Sequence, residues 1–154
     1  MTLVQRVLAT ARSENGYLEK ATNAQLEDKT ANAGYNNWNK FAAFLDDLEV
    51  AYNGKKNGYA WCDCFVDYCF IYTFGLELGM AMTFQPKKGA GAGCTYSMGY
   101  YKKAGRFFKD PQPGDQIFFT NDGGASSYHT GLVEKVEGGR VYTIEGNTSR
   151  EPGV

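Results

Sequence analysis

One stretch constrains this chain more than any other: Gly58-Tyr59-Ala60-Trp61-Cys62-Asp63-Cys64-Phe65-Val66-Asp67-Tyr68-Cys69-Phe70. A glycine-containing loop runs into an apolar, aromatic segment that predicts a helix from about Cys62 to Phe74, stopping at Gly75. The helix is apolar nearly all round, so it belongs in the middle of a domain. Cys62 stands where the loop becomes the helix. The first helical turn has unpaired N–H groups and the positive end of the peptide dipoles. Both favour thiolate over thiol and lower a cysteine's pKa. Cys62 is therefore the candidate nucleophile, and the rest of the chain is expected to bring it a base. Cys64 is the rival. Two residues further on, it is turned by about 200° at about 100° per residue, so the two cannot face one partner. Its competing role is that of a small buried hydrophobe, as it is for Cys69 and Cys94. Cys94, after a glycine-rich loop, is also placed to edge a groove.

With 154 residues and 43% hydrophobic side chains, the chain suits one domain, residues 1–154, with a sizeable core. Net charge is -1, which gives no footprint for nucleic acid or an anionic membrane. The start, Met1-Thr2-Leu3-Val4-Gln5-Arg6, has no apolar run and small-residue cleavage site of a secretory signal. No apolar run is long enough to insert in a membrane as a helix. The expectation is synthesis in the cytoplasm of the producing cell. Four cysteines and one histidine, without paired Cys-x-x-Cys units, argue against a structural zinc site.

Thr2 caps a first helix with Gln5 as its capping-box partner, and Leu3, Val4, Val7, Leu8 and Ala11 form one apolar stripe. Residues 19–37 are polar and asparagine-rich, which predicts a long surface loop. A second helix is expected from about Trp38 to Val50, with Trp38, Phe41, Ala42, Leu45 and Leu48 on one face. Gln85 to Gly93 is expected to be a flexible connection, followed by a short helix from about Thr95 to Ala104. Then the period changes. Pro111-Gln112-Pro113-Gly114-Asp115 is a turn, with Asp115 supplying turn chemistry. Strands follow at 116–120, 128–136 and 140–145. Helices first and an antiparallel sheet second make an α+β fold.

A cysteine nucleophile needs a base that later protonates the leaving amine. The single histidine, His129, opens the second strand, far from Cys62 in sequence, as a Cys–His pair usually lies. A third group must fix the ring. Glu145 and Asn147, two apart on the last strand, share a face. A plain two-residue turn at Gly138-Gly139 pairs Glu137 with Arg140 and puts Glu145 and Asn147 on the face opposite His129. A three-residue loop, or one bulge, restores the same face and brings Asn147 diagonal to His129. The glycine pair suits a left-handed turn residue followed by a bulge. If these residues form a site, the hairpin is not a simple two-residue one.

The order Cys62, His129, Glu145, Asn147 resembles the cysteine, histidine-dependent amidohydrolase/peptidase (CHAP) family, and most closely the catalytic modules of phage and prophage endolysins. Gly16-Tyr17-Leu18-Glu19-Lys20, Lys29-Thr30-Ala31-Asn32-Ala33-Gly34, Trp61-Cys62-Asp63, Pro113-Gly114-Asp115-Gln116-Ile117-Phe118-Phe119, His129-Thr130-Gly131-Leu132-Val133 and Glu145-Gly146-Asn147-Thr148 carry the match. The resemblance implies a papain-like fold and hydrolysis of amide bonds in bacterial peptidoglycan. It implies Cys62 as nucleophile, His129 as base, and Glu145 and Asn147 behind it. It implies no cofactor, although some members bind calcium, for which Asp63 and Asp67 are candidates; negative charge near a helix N-terminus is the competing reading. Such modules usually add further strands and a wall-binding domain; this chain is expected to stop short of those strands, and no wall-binding domain is visible. Release to the wall of a lysed host is the implied site of action. Tyr59, Tyr96, Tyr100, Tyr101 and Tyr128 are candidates to line a glycan or peptide groove. The alternatives are an NlpC/P60-type cysteine peptidase, which shares the Pro-Gly-Asp turn, a non-catalytic wall-binding module on the same fold, and a cysteine-rich metal protein.

Overall fold

The computed structural model describes residues 1–48, 51–148 and 153–154. The described residues form α1 (Leu3–Ser13), α2 (Lys40–Asp46), α3 (Cys62–Phe74), α4 (Leu76–Met82) and α5 (Cys94–Lys103), then β1 (Gln116–Phe119), β2 (His129–Glu137) and β3 (Arg140–Ile144). The fold is α+β. The strands make one antiparallel sheet in the order β1-β2-β3. α3 lies between this sheet and the other helices, packed on β2, α1, α2 and α4.

Sequence explains the placing of α3. Its first ten residues, Cys62 through Ile71, are all buried. A helix with no polar face has no side to give to water. Around it gathers an aromatic cluster: Phe41 of α2 stacks on Trp61 at 5.4 Å and meets Phe65 edge-on at 5.1 Å. Burying each such ring contributes about 1.5–3 kcal/mol. α1 forms as expected, with the reciprocal Thr2–Gln5 capping box in place. Its buried residues are Val7, Leu8 and Ala11, whereas Leu3 and Val4 stay exposed at the helix start.

Four expectations are corrected. The second helix begins at Lys40, not Trp38, because Asn39 caps it by accepting the Ala42 N–H at 2.8 Å. It ends at Asp46, well short of the expected limit at Val50, which lies outside the described residues. Residues 19–37 are irregular, but the segment is not wholly a surface loop: Glu19 and Lys20 are buried. The Gln85–Gly93 connection is pinned rather than loose. Gln85 donates to Asp67 at 2.7 Å, and Ala90 is buried beside Tyr52 with backbone bonds to Ala51 and Asn53.

Helix α4 was not foreseen. Its middle residue is Gly79, which opposes helix formation. Here glycine is needed: a Cβ at that position would lie 2.7 Å from Ile71 Cα, on the backbone of α3. Gly79→Ala is therefore expected to destabilise the protein by about 1–3 kcal/mol through overpacking, despite alanine's better helix propensity. Thermal unfolding measures it; an unchanged or raised Tm would contradict this close packing.

Candidate active site

Cys62 is the first residue of α3, and Trp61 caps the helix without a side-chain hydrogen bond. The usual Ser, Thr or Asp cap would occupy the first-turn N–H groups. Here they carry no such acceptor and remain beside the thiol. Trp61 is held instead by its indole, whose Nε1 donates to Glu19 Oε2 at 2.9 Å in the core. The same Glu19 accepts the Asn37 N–H through Oε1. The supposed surface loop thus reaches beneath the site and fixes the residue that precedes the thiol.

His129 opens β2 opposite Phe119 of β1, with the two rings 5.6 Å apart. Its Nε2 lies 2.8 Å from Glu145 Oε2. Glu145 is itself fixed: Thr143 donates to Oε1 at 2.6 Å and Thr148 to Oε2 at 3.3 Å. With Nε2 engaged, Nδ1 is the ring nitrogen left for the Cys62 thiol, and the two groups interact.

The hairpin explains how Glu145 arrives there. Gly138 and Gly139 both take left-handed conformations in a two-residue turn, and Glu137 pairs with Arg140. The register then slips between Val133 and Lys135. The unpaired residue is Glu134, whose carboxylate accepts from Arg12 of α1 at 2.7 Å. The bulge thus sits in mid-strand rather than at the turn. Beyond it Leu132 pairs with Ile144, so Glu145 stands across from Gly131, and His129 is its diagonal neighbour on the same face. Gly131 makes the crossing feasible, because a Cβ there would lie 2.5 Å from Glu145 Cγ. The expected diagonal partner, Asn147, is not the one on the ring. It takes a left-handed conformation just past the strand, and the His129 hydrogen bond goes to Glu145.

The electrostatics favour an ion pair. The Cys62 thiol is pulled from 9.0 down to about 5, first by the Cys94 thiol directed at it, with burial opposing, and then by His129 and the Thr130 N–H. His129 is raised from 6.5 to about 9, first by Cys62 and then by Glu145, against burial. The Glu145 carboxyl is held below its ordinary range by His129, then by Thr143 and Thr148. Thiolate and imidazolium are each stabilised by the other, as in other activated cysteines.

Cys64 points into the core, 1% exposed, and burial drives its thiol pKa up. Cys69 is also buried and raised. Asp63 stands in the first turn of α3, as the competing reading has it, but it and Asp67 are both buried and bond to different donors rather than converging as ligands. Asp63 accepts from Ser97 of α5 at 2.7 Å and from Gln116 of β1 at 2.8 Å. Burial pushes it up to about 7. Asp67 accepts from Tyr52 and Gln85. These carboxylates spend their lone pairs on protein donors in separate networks, which does not fit a shared calcium site. Asp115 makes the expected turn bond, from the Gln112 N–H at 2.8 Å.

A family model for the CHAP domain matches residues 54–147, more than half of the chain. The chain belongs to the CHAP family. No curated protein and no solved structure matches it. CHAP domains are, in general, cysteine- and histidine-dependent amidohydrolases and peptidases of the peptidoglycan-hydrolase type. The matched span of this CHAP domain contains Cys62, Cys94, His129 and Glu145. Glu19 lies before it, and its burial in a polar segment carried no sequence signal beyond the motif it belongs to. The proximity of Cys94 to Cys62, with sulfurs 3.4 Å apart, was also missed; its position after a glycine-rich loop was the one hint.

Proposed function

We propose that this CHAP domain is the catalytic module of a phage or prophage endolysin that cuts amide bonds in bacterial peptidoglycan, with Cys62 as nucleophile and His129 as base. The observation that carries this reading is the Cys62 thiol at the start of α3, facing a histidine ring whose far nitrogen is bonded to Glu145.

The chemistry follows from those contacts. The Cys62 thiolate attacks a carbonyl carbon of the stem peptide or of its link to the sugar. Negative charge moves onto the carbonyl oxygen, and the first-turn N–H groups of α3, free of a side-chain cap, are donors for it; one such donor is worth about 3 kcal/mol. The His129 imidazolium protonates the departing amine, leaving a thioester on Cys62. The now neutral ring takes a proton from water, the hydroxide attacks the thioester, and the thiolate returns. Glu145 keeps the ring oriented and supports its positive charge.

Three exposed tyrosines neighbour site residues in the chain: Tyr59 before Trp61, Tyr96 after Cys94 and Tyr128 before His129. Their rings suit stacking against sugar or peptide. In the cell the enzyme would be made in the cytoplasm of the infected host and reach the wall on release, lysing it.

The test is digestion of purified peptidoglycan by untreated protein and by protein alkylated with iodoacetamide at mildly acidic pH, where only a depressed thiol reacts. New amino and carboxyl ends should form and should vanish on alkylation. Ends at the sugar link mean an amidase, and ends within the stem mean an endopeptidase. Binding to wall without any new ends would favour a non-catalytic wall-binding module.

A further inference from the structure

Cys94 is the first residue of α5, and its sulfur lies 3.4 Å from that of Cys62. All four cysteines are free thiols. A disulfide requires about 2.05 Å between sulfurs, so closing by about 1.4 Å would join them. Rotation of the Cys94 side chain can supply such a shift without moving the pinned segment before it, because Cys94 is the first residue of α5 and has no helical turn of its own behind it. Cys94 is half-buried rather than sealed in.

We infer that Cys62 and Cys94 form a reversible disulfide when the protein meets a hydroperoxide, and that this modification closes the site. The inference needs the proposed reactivity of Cys62 as a thiolate, but not its action on peptidoglycan. In the first step the Cys62 thiolate attacks one oxygen of hydrogen peroxide. The S–O bond forms, the O–O bond breaks, and the departing hydroxide takes the imidazolium proton of His129 to become water. Cys62 is now a sulfenic acid. In the second step the neutral His129 ring accepts the Cys94 proton. The Cys94 thiolate attacks the Cys62 sulfur, the S–S bond forms, the S–O bond breaks, and hydroxide leaves as water with that proton. Two thiols lose two electrons, and one peroxide becomes two waters.

The pairing also has a reason for its order. While Cys62 is an anion, it holds the Cys94 proton and keeps that thiol pKa raised, with burial adding to the effect. Once Cys62 is a neutral sulfenic acid, the anion that held the proton is gone. Cys64 and Cys69 are buried and raised, so neither competes for the peroxide or for the sulfenic sulfur.

The full-length protein is reduced, desalted, treated with one equivalent of hydrogen peroxide, denatured and alkylated, then read by intact mass and peptide mapping. The expected product has lost the mass of two hydrogens and has two of its four cysteines protected from alkylation, and the peptides holding Cys62 and Cys94 are linked. Dithiothreitol restores all four thiols, and hydrolysis of peptidoglycan is lost and regained in step. In Cys94→Ser, treated with two equivalents of peroxide, the bridge cannot form; Cys62 instead takes one oxygen from each and becomes sulfinic acid, which dithiothreitol does not reverse. Wild-type protein carrying a sulfinic Cys62 beside an alkylatable Cys94 would overturn the inference, as would a bridge to Cys64 or Cys69. The mass readout does not depend on wall hydrolysis. A bridged protein that never cuts wall refutes the proposed function alone, and an active hydrolase that never bridges refutes this inference alone.

Discussion

His129→Ala lowers kcat on peptidoglycan by an expected factor of roughly 10⁴ to 10⁶, the scale on which removing one member of a nucleophile–base pair acts. Cys62→Ala should do the same, and the double variant should be little worse, because the two side chains act as one unit. The reason is specific to this site. Without the imidazolium the departing amine has no proton donor, and the thiolate loses one of the groups that hold its pKa down. The wild-type pH–rate profile should be a bell. Its acid limb lies near 5, where the Cys62 thiolate takes up a proton, and its alkaline limb near 9, where His129 loses one. Both limbs belong to the coupled pair rather than to either residue alone. Iodoacetamide alkylation of Cys62 reads the acid limb without peptidoglycan, and in His129→Ala that limb should move to higher pH. A profile that rises steadily through pH 9, as an ordinary thiol with its pKa of 9.0 would give, would sink the ion-pair reading.

Much of this site was legible because its members carry local marks. Cys62 falls where a glycine loop turns into an all-apolar helix, and the structure starts α3 at that residue. His129 is the chain's one histidine and opens a strand, as periodicity indicated. The hairpin is more instructive. The alternation of side chains demanded a three-residue loop or one bulge if His129 and Glu145 were to share a face, and a bulge exists with a two-residue turn. Its position could not be read. The two glycines pointed to the turn, but both are consumed by the turn itself. The extra residue is Glu134, an ordinary strand residue by composition, and what holds it is Arg12 from a helix far away in sequence. Because the extra residue is on β2 rather than in the turn or on β3, Leu132 faces Ile144, and Glu145 rather than Asn147 takes the place diagonal to His129.

What stayed hidden was non-local. Glu19 is polar and lies among polar residues, so nothing nearby foretold that it would be 2% exposed under Trp61. Asp63 and Asp67 read as helix-start charges, yet each meets donors supplied by other segments. Cys94 approaches Cys62 only because α5 docks on α3. In each case the local pattern gave the residue type and the tertiary contact gave the role.

Glu145→Ala is the second substitution with a large expected effect, roughly 10²- to 10⁴-fold in kcat by analogy with loss of the orienting carboxylate in a triad. Direction can be worked out in the pH profile as well. Glu145 is the second cause that raises His129, so its removal should shift the alkaline limb from about 9 toward 6.5, while the acid limb, governed first by Cys94, moves less. Glu145→Gln keeps an acceptor oxygen for Nε2 but no charge, and should fall between wild type and alanine on both measures. Gly131→Ala tests the geometry without removing either partner. Its new Cβ would sit 2.5 Å from Glu145 Cγ and must push the carboxylate off the ring, so it should reproduce the downward shift of the alkaline limb, with circular dichroism checking that the fold persists. Asn147→Ala should leave that limb where it is, because the ring bonds Glu145. If Asn147→Ala moves the limb and Glu145→Ala does not, then the partner that matters during catalysis is Asn147. The 2.8 Å contact would then describe a resting arrangement that the substrate rearranges.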